Sequence, residues 1–324
     1  MSLPGTPTLS TPKPRSTPLP PKALSSDRAS VWAVGGGKGG IGKTFLASNS
    51  ATVIARLGLR VVLIDVDFGG ANLHTTLGVR ALQRVNLTDY LQDRVGDLEE
   101  AAIETPVPGL RLILGALGEV SAAQTTSTQR AQLMEAIRKL KADVVILDLA
   151  AGMNRSTIDF FVQADEHLLV TTPEPTAIEN AYGFLRAALH RRMSLAMTES
   201  PIRDLLREAL AKRGEKSLQT PLDLVREIRL IDPNEGPRFE RAISEFQPRL
   251  ILNQVRTSDE VKLGFSIASM SRRYFGVHVD YIGYINYDDF VWRSIKDRKA
   301  LVLAYPQSDG ALYVRQIVKK MLQP

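Results

Sequence analysis

The run Gly37-Lys38-Gly39-Gly40-Ile41-Gly42-Lys43-Thr44 limits the fold of this chain more than any other feature. It follows the apolar run 31–34 and precedes a helical pattern over 44–57. A strand that turns through glycines into a helix is the opening of a βαβ unit, and it satisfies G-x-x-x-x-G-K-[ST] in the context that motif requires. The glycines let backbone N–H groups turn inward around an anion at the positive end of the helix. Lys43 is placed to pair with β- and γ-phosphates, and Thr44 offers a hydroxyl to Mg²⁺, a cation that prefers hard oxygen ligands.

Short apolar runs recur at 31–34, 60–64, 111–114, 143–147, 167–171, 249–252 and 280–285. Several are continuously apolar, as strands covered on both faces must be. Helical patterns fall between them, including 128–141, 176–189 and 258–274. The alternation predicts an α/β fold: a doubly wound, mostly parallel sheet flanked by helices. Residues 1–30 are rich in Pro, Ser and Thr and too poor in large apolar side chains to offset ordering entropy, so a disordered tail is expected. A single α/β domain is expected over 31–324. Within it, about 195–247 carries helix starts at Ser200-Pro201 and Thr220-Pro221, a capping box of Thr220 with Asp223, and an apolar face of Phe239, Ala242, Ile243 and Phe246. It is expected to be a helical insertion on the sheet and a recognition surface.

Three acids complete the site. Asp65 and Asp148 each end an apolar run, which in an open α/β sheet brings both to the carboxyl edge beside the glycine loop. Asp148 has the position of a Walker B acid, and Asp148-Leu149-Ala150-Ala151-Gly152 ends in a glycine N–H suited to sensing a γ-phosphate. Asp67 lies beyond its strand on Phe68-Gly69-Gly70, suited to orienting an attacking water; the plainer alternative is a turn aspartate. The same glycines also satisfy G-x-G-x-x-G, but a dinucleotide site leaves Lys43, Thr44 and the extra carboxylates without a use. The metal set is therefore Thr44, Asp65 and Asp148, with Mg²⁺ and a nucleotide as the expected ligands.

Lys38-Gly39-Gly40-Ile41-Gly42-Lys43-Thr44 resembles the KGGxGKT signature of the MinD/ParA family of deviant Walker A ATPases. Asp65-x-Asp67-x-Gly69 with Asn72-Leu73 and Leu77-Gly78 resembles its first switch, and Asp148-x-x-Ala151-Gly152 its second. Thr171-Thr172-Pro173-Glu174-Pro175-Thr176-Ala177-Ile178 with Ala181-Tyr182 is similar to the flagellar-number branch called FlhG or FleN, and Gly283-Tyr284-Ile285 with Asp288, Val291 and Arg298 extends the match. The resemblance implies a P-loop fold of the SIMIBI class, and a homodimer sandwiching ATP, with Lys38 reaching the partner's phosphates. It also implies slow hydrolysis that a partner protein stimulates, and an output that positions or counts a cellular structure. Catalytic roles would fall to Lys38, Lys43 and Asp67, and nucleotide contacts to Gly37, Lys38, Gly39, Gly40, Ile41, Gly42, Lys43, Thr44 and Phe45. Asn253, at the end of a strand, stands where the family recognises adenine. Departures are Ala150 where the second switch often has Pro, Asn286 where Pro usually precedes the acid, and an N-terminal segment without the DQA-type motif of flagellar regulators.

Other readings stay open: a ParA-type DNA-segregation ATPase, or a non-hydrolysing ATP-gated scaffold or anti-activator. A net charge of +6, with basic clusters at Arg191-Arg192, Arg272-Arg273 and across 293–299, leaves non-specific DNA a candidate partner, although each cluster also fits a solvated helix face. The absence of cysteine excludes thiolate zinc and iron–sulfur sites. There is no apolar stretch of the ~20 residues needed to span a bilayer. Leu312, Val314, Ile317, Val318 and Met321 have core-like spacing, so no clear membrane anchor is expected. A cytoplasmic location is the expectation.

Overall fold

The computed structural model describes residues 28–67, 72–80, 85–115, 125–198, 203–204 and 221–323. The Pro-rich segment up to residue 27, the loop Phe68-Gly69-Gly70, and the helix starts at Ser200-Pro201 and Thr220 lie outside them. Eight strands form one sheet: β1 (Ser30–Gly35), β2 (Val61–Val66), β3 (Ala102–Glu104), β4 (Leu110–Ile113), β5 (Val144–Leu149), β6 (Glu166–Thr171), β7 (Arg249–Val255) and β8 (Asp280–Asn286). Their spatial order is β3-β4-β2-β5-β1-β6-β7-β8, parallel throughout except for β3, which runs antiparallel to β4. The expected doubly wound, mostly parallel α/β sheet is what the chain adopts.

The helices are α1 (Lys43–Arg56), α2 (Leu73–Thr76), α3 (Leu87–Leu91), α4 (Ser127–Lys139), α5 (Arg155–Gln163), α6 (Pro175–Thr198), α7 (Pro221–Ile231), α8 (Gly236–Ser244), α9 (Ser258–Phe275), α10 (Asp289–Lys296), α11 (Leu301–Ala304) and α12 (Asp309–Leu322). Local chemistry starts several of them. Thr126 with Gln129 forms a capping box on α4, and Thr257 with Glu260 forms one on α9; each satisfies two backbone donors that the helix leaves open.

The continuously apolar strands sort by parity, because successive side chains point to opposite faces. Val31, Ala33, Val62, Ile64, Val145 and Leu147 join one core with α4, α5, α6, α7, α8 and α9. Trp32, Val34, Val61, Leu63, Val144 and Ile146 join the other with α1, α11 and α12. Val314, Ile317, Val318 and Met321 are buried in that second core, so the apolar stripe of α12 is spent on the sheet. Among the described residues no helix is long and apolar enough to cross a membrane.

The segment between β6 and β7 is built into the first core. α6 runs unbroken to Thr198, and Val225, Ile228, Phe239, Ile243 and Phe246 are all buried. Phe246 lies edge-on to His167 at 4.9 Å and to Phe161 at 6.3 Å. A flexible linker in place of 221–246 would therefore open the sheet's own core. Phe246→Ala is expected to lower unfolding free energy by about 3–5 kcal/mol, the usual result of removing a fully buried ring. Urea unfolding measures it, and a loss under about 1 kcal/mol would mean the segment only rests on the surface.

Candidate nucleotide site

Strand parity aims the acids. Asp65 and Asp148 share the parity of Leu63 and Ile146, so both point to the face that carries α1. They are also register partners on the neighbouring strands β2 and β5, and Asp148 pairs on its other side with Val34 of β1. The glycine loop leaves β1 one residue later. Three adjacent carboxyl strand ends thus meet at one point: the loop and two carboxylates.

The loop is shaped by close approaches. Gly42 has φ 96, in the left-handed region, and a Cβ there would lie 2.1 Å from Asn253 Nδ2. A Cβ on Gly37 would lie 2.2 Å from the Asn180 carbonyl oxygen. Asn253 is buried and its Nδ2 donates to the Ile41 carbonyl at 2.8 Å. Gln254, itself left-handed at φ 59, donates through Nε2 to the Gly40 carbonyl at 3.1 Å. These bonds hold two loop carbonyls back toward β7. The amides of Lys43, Thr44 and Phe45 open α1, where a helix leaves its first N–H groups without intrahelical partners. Phe45's ring lies in the core, so its backbone is what it can offer.

The two lysines of the loop are disposed differently. Lys43 is buried, its Nζ donates to the Lys38 carbonyl at 3.2 Å, and burial lowers its pKa while Asp148 and Asp67 pull the other way. Lys38 is solvent-accessible, and its Nζ reaches Glu174 Oε2 at 2.7 Å and Thr176 Oγ1 at 3.1 Å. Glu174 follows β6, the neighbour of β1, and Thr176 stands in the first turn of α6.

Burial, with Asp65 alongside, pushes Asp148 up to about 8, against the lowering effects of a Thr44 hydrogen bond and the Lys43 charge. Burial likewise pushes Asp65 up to about 6, although it accepts from the Leu73 and Asp67 amides, each at 3.1 Å. Asp148 Oδ1 is buried without a hydrogen-bond partner. A buried carboxylate oxygen left open beside a hydroxyl and a phosphate cradle fits a divalent cation, whose charge reverses the pressure toward protonation. Among the described residues no three carboxylate or imidazole groups come together as a metal cluster. Mg²⁺ is commonly held by one or two protein carboxylates together with substrate phosphates. Thr44, Asp65 and Asp148 are the candidates to hold it, and Asp65 also braces the start of α2 through Leu73.

Two cavities open at the carboxyl edge of the sheet. One, of about 630 Å³, is lined by Asp67, Ala150, Ala151, Arg130 and the first turns of α4 and α5. The other, of about 510 Å³, lies past the carboxyl ends of β7 and β8 between Val255, Arg256, Thr257 and Tyr287. There the Arg256 guanidinium stacks 3.8 Å from the centre of the Tyr287 ring.

A family model described as an AAA domain matches residues 29–192, about half of the chain and all of the loop, both switches and the Lys38–Glu174 contact. This chain belongs to the MinD/ParA family of ATPases. Among relatives of the MinD/ParA chain, the antiactivator FleN of Pseudomonas aeruginosa is 28% identical over 295 residues, 90% of this chain and 85% of FleN. The flagellum site-determining protein YlxH of Helicobacter pylori is 32% identical over 160 residues, 48% of this chain and 52% of YlxH, so that match spans about half of either protein. The septum site-determining protein MinD of Pyrococcus horikoshii, solved with Mg-ADP, has the same fold with a TM-score of 0.61 at 19% identity, covering 90% of this chain and 96% of MinD.

Sequence reasoning brought Gly37 through Thr44, Asp65, Asp67, Asp148 and Asn253 to one edge, where the fold indeed gathers them. It missed Glu174 and Thr176 as partners of Lys38, and Asn180 and Gln254 as supports of the loop. The one available signal was that Glu174 follows a buried strand at the level of the glycine loop.

Proposed function

We propose that the chain binds Mg-ATP, pairs face to face with a second copy across the bound nucleotides, and hydrolyses ATP slowly until a partner protein stimulates it. The output is the positioning or counting of a cellular structure, of the flagellar or polar kind. The observation that carries this reading is the division between the two loop lysines. Lys43 is buried where it can serve only its own chain, while Lys38 stands at the rim on an exposed ion pair. A cation at the rim can be handed to another chain, the office an arginine finger performs in trans. The cavity beside the stacked Arg256–Tyr287 pair is the candidate seat for the adenine ring, with Asn253 steadying the glycine loop through the Ile41 carbonyl.

Nucleotide should convert monomers to dimers, read by chromatography with light scattering with and without ATP. Lys43→Ala should lose nucleotide affinity by about tenfold to a hundredfold or more, since hydrogen bonds to charged groups are worth about 1.5–3 kcal/mol and Lys43 faces more than one oxygen. An unchanged monomer in both conditions rejects the sandwich. The name of FleN, an antiactivator, favours one second reading, in which ATP binding alone signals. Turnover by the purified protein separates the two.

A further inference from the structure

Asn253 and Gln254 are consecutive residues of β7, yet both side chains reach the glycine loop. Asn253 Nδ2 donates to the Ile41 carbonyl at 2.8 Å, and Gln254 Nε2 donates to the Gly40 carbonyl at 3.1 Å. An extended strand cannot do this, because successive side chains leave it on opposite faces. The alternation breaks at Gln254, whose φ of 59 lies in the left-handed region that side chains with a Cβ avoid. The pairing with β8 records the same break. Leu252 stands opposite Tyr284 and Val255 opposite Asn286, so β7 carries one residue more than β8 between the two pairs. Such a bulge re-aims a side chain, and here it brings a second one to the loop.

The conformation is held from the far side as well. The Val255 carbonyl accepts from the Tyr287 amide at 2.8 Å, and Glu260 Oε2 accepts from the Arg256 amide at 2.6 Å. A residue in a costly conformation persists where its surroundings over-determine it, and such residues gather at functional sites. The two bonds to the loop act on adjoining peptides. In a planar trans peptide the carbonyl and the N–H point in opposite directions. The Gly40 carbonyl shares its peptide with the Ile41 N–H, and the Ile41 carbonyl with the Gly42 N–H. With both carbonyls drawn toward β7, both amides turn the other way, toward the side of β1 on which β5 carries Asp148. Successive amides turned to one side make a concavity for an anion.

We propose that Gln254 is a positioning residue for the phosphates: through the Gly40 carbonyl it presets the Ile41 amide for a phosphate oxygen, as Asn253 does for the Gly42 amide. This role rests on the nucleotide reading and adds a residue that the glycine-loop motif does not contain. Glycines give a loop many accessible peptide orientations, and a ligand that has to order them binds more weakly. A loop fixed beforehand needs no such ordering. Gln254 therefore contributes to affinity without touching the nucleotide.

Two substitutions in the full chain separate this role from a structural one. Gln254→Gly loses the bond but adopts a positive φ freely, and Gln254→Glu keeps the length but has no N–H to donate. Without ligand, Gln254→Gly protein should melt close to the unaltered chain, because relief of the left-handed conformation offsets the lost bond. Both variants should bind MgADP about tenfold more weakly by calorimetry, the effect of one hydrogen bond. Magnesium tripolyphosphate, which has phosphates and no base, should weaken by the same factor. Affinities within about twofold of the unaltered chain in both variants overturn the proposal. A loss for MgADP with tripolyphosphate unchanged also overturns it, because the effect would then enter through the base cavity beside Arg256. So does a fall in the ligand-free melting temperature of both variants that parallels the loss of affinity, which would leave Gln254 with a folding role alone. An unaltered chain that binds neither ligand removes the nucleotide reading itself, and the role of Gln254 with it.

Discussion

Lys38→Ala protein is expected to bind ATP with nearly the affinity of the unaltered chain and to turn it over about 10³–10⁵-fold more slowly, the range for losing a cation supplied in trans to a phosphoryl transfer. Lys38 Nζ lies on Glu174 and Thr176 at the rim, while the phosphate contacts within the chain are proposed for the buried Lys43 and the loop amides. Removing Lys38 leaves those contacts in place. The ion pair to Glu174 does not lock it, because both partners are solvent-accessible and such pairs are worth about 0.2–1 kcal/mol. In the proposed dimer, a dry interface with several phosphate oxygens offers the ammonium much more than this exposed pair does. Glu174→Gln provides the control: it removes the competing charge and should leave maximal turnover intact. Fluorescent-nucleotide titration and phosphate release read the two effects separately. Normal turnover in Lys38→Ala would reduce Lys38 to a surface lysine with a local partner.

How far the sequence disclosed this site depends on whether each contact is local. Asp65 and Asp148 were legible because each closes an apolar run, and period-2 geometry then fixes the face to which it points. The loop was legible because its shape is written in consecutive glycines. α5 was not, because Phe160-Phe161-Val162 is a continuous apolar run in a helix of nine residues, too short for a 3.6-residue period to declare itself. β3 has three residues and pairs antiparallel at the sheet edge, so alternation had nothing to act on. The face of Phe239, Ile243 and Phe246 was read from its spacing, but the destination of Phe246 against Phe161 and His167 depends on tertiary packing that no local pattern carries. The same holds for Lys38 and Glu174, 136 residues apart and joined only because β1 and β6 are neighbours. Asn253 was found for one purpose and is seen bonded to a loop carbonyl, a role that strand-end position alone does not distinguish from contact with a base.

Asp67→Ala is expected to trap the ATP-bound dimer. Asp67 stands just past β2, and its amide donates to Asp65 Oδ1 at 3.1 Å, which fixes where its own backbone turns. It lines the 630 Å³ cavity with Ala150 and Ala151 of the second switch, close enough to act on the charges of Lys43 and Asp148. In the proposed mechanism this cavity admits a water beside the terminal phosphate, and Asp67 is the carboxylate that would orient it and accept its proton. The proposed cation ligands, Thr44, Asp65 and Asp148, and the proposed phosphate contacts, Lys43 with the loop amides, do not include Asp67. Losing Asp67 therefore leaves binding intact and removes the alignment of the nucleophile, a contribution of about 10²–10⁴-fold in rate. Nucleotide affinity should hold within a few-fold, the dimer should persist through chromatography with ATP, and single-turnover hydrolysis should fall by that factor. Asp148→Asn should differ in kind, weakening the magnesium dependence of binding itself. If Asp67→Ala turns over at the full rate while the dimer still forms and dissociates, Asp67 only shapes the turn after β2, and the water is oriented by a group elsewhere on the cavity wall.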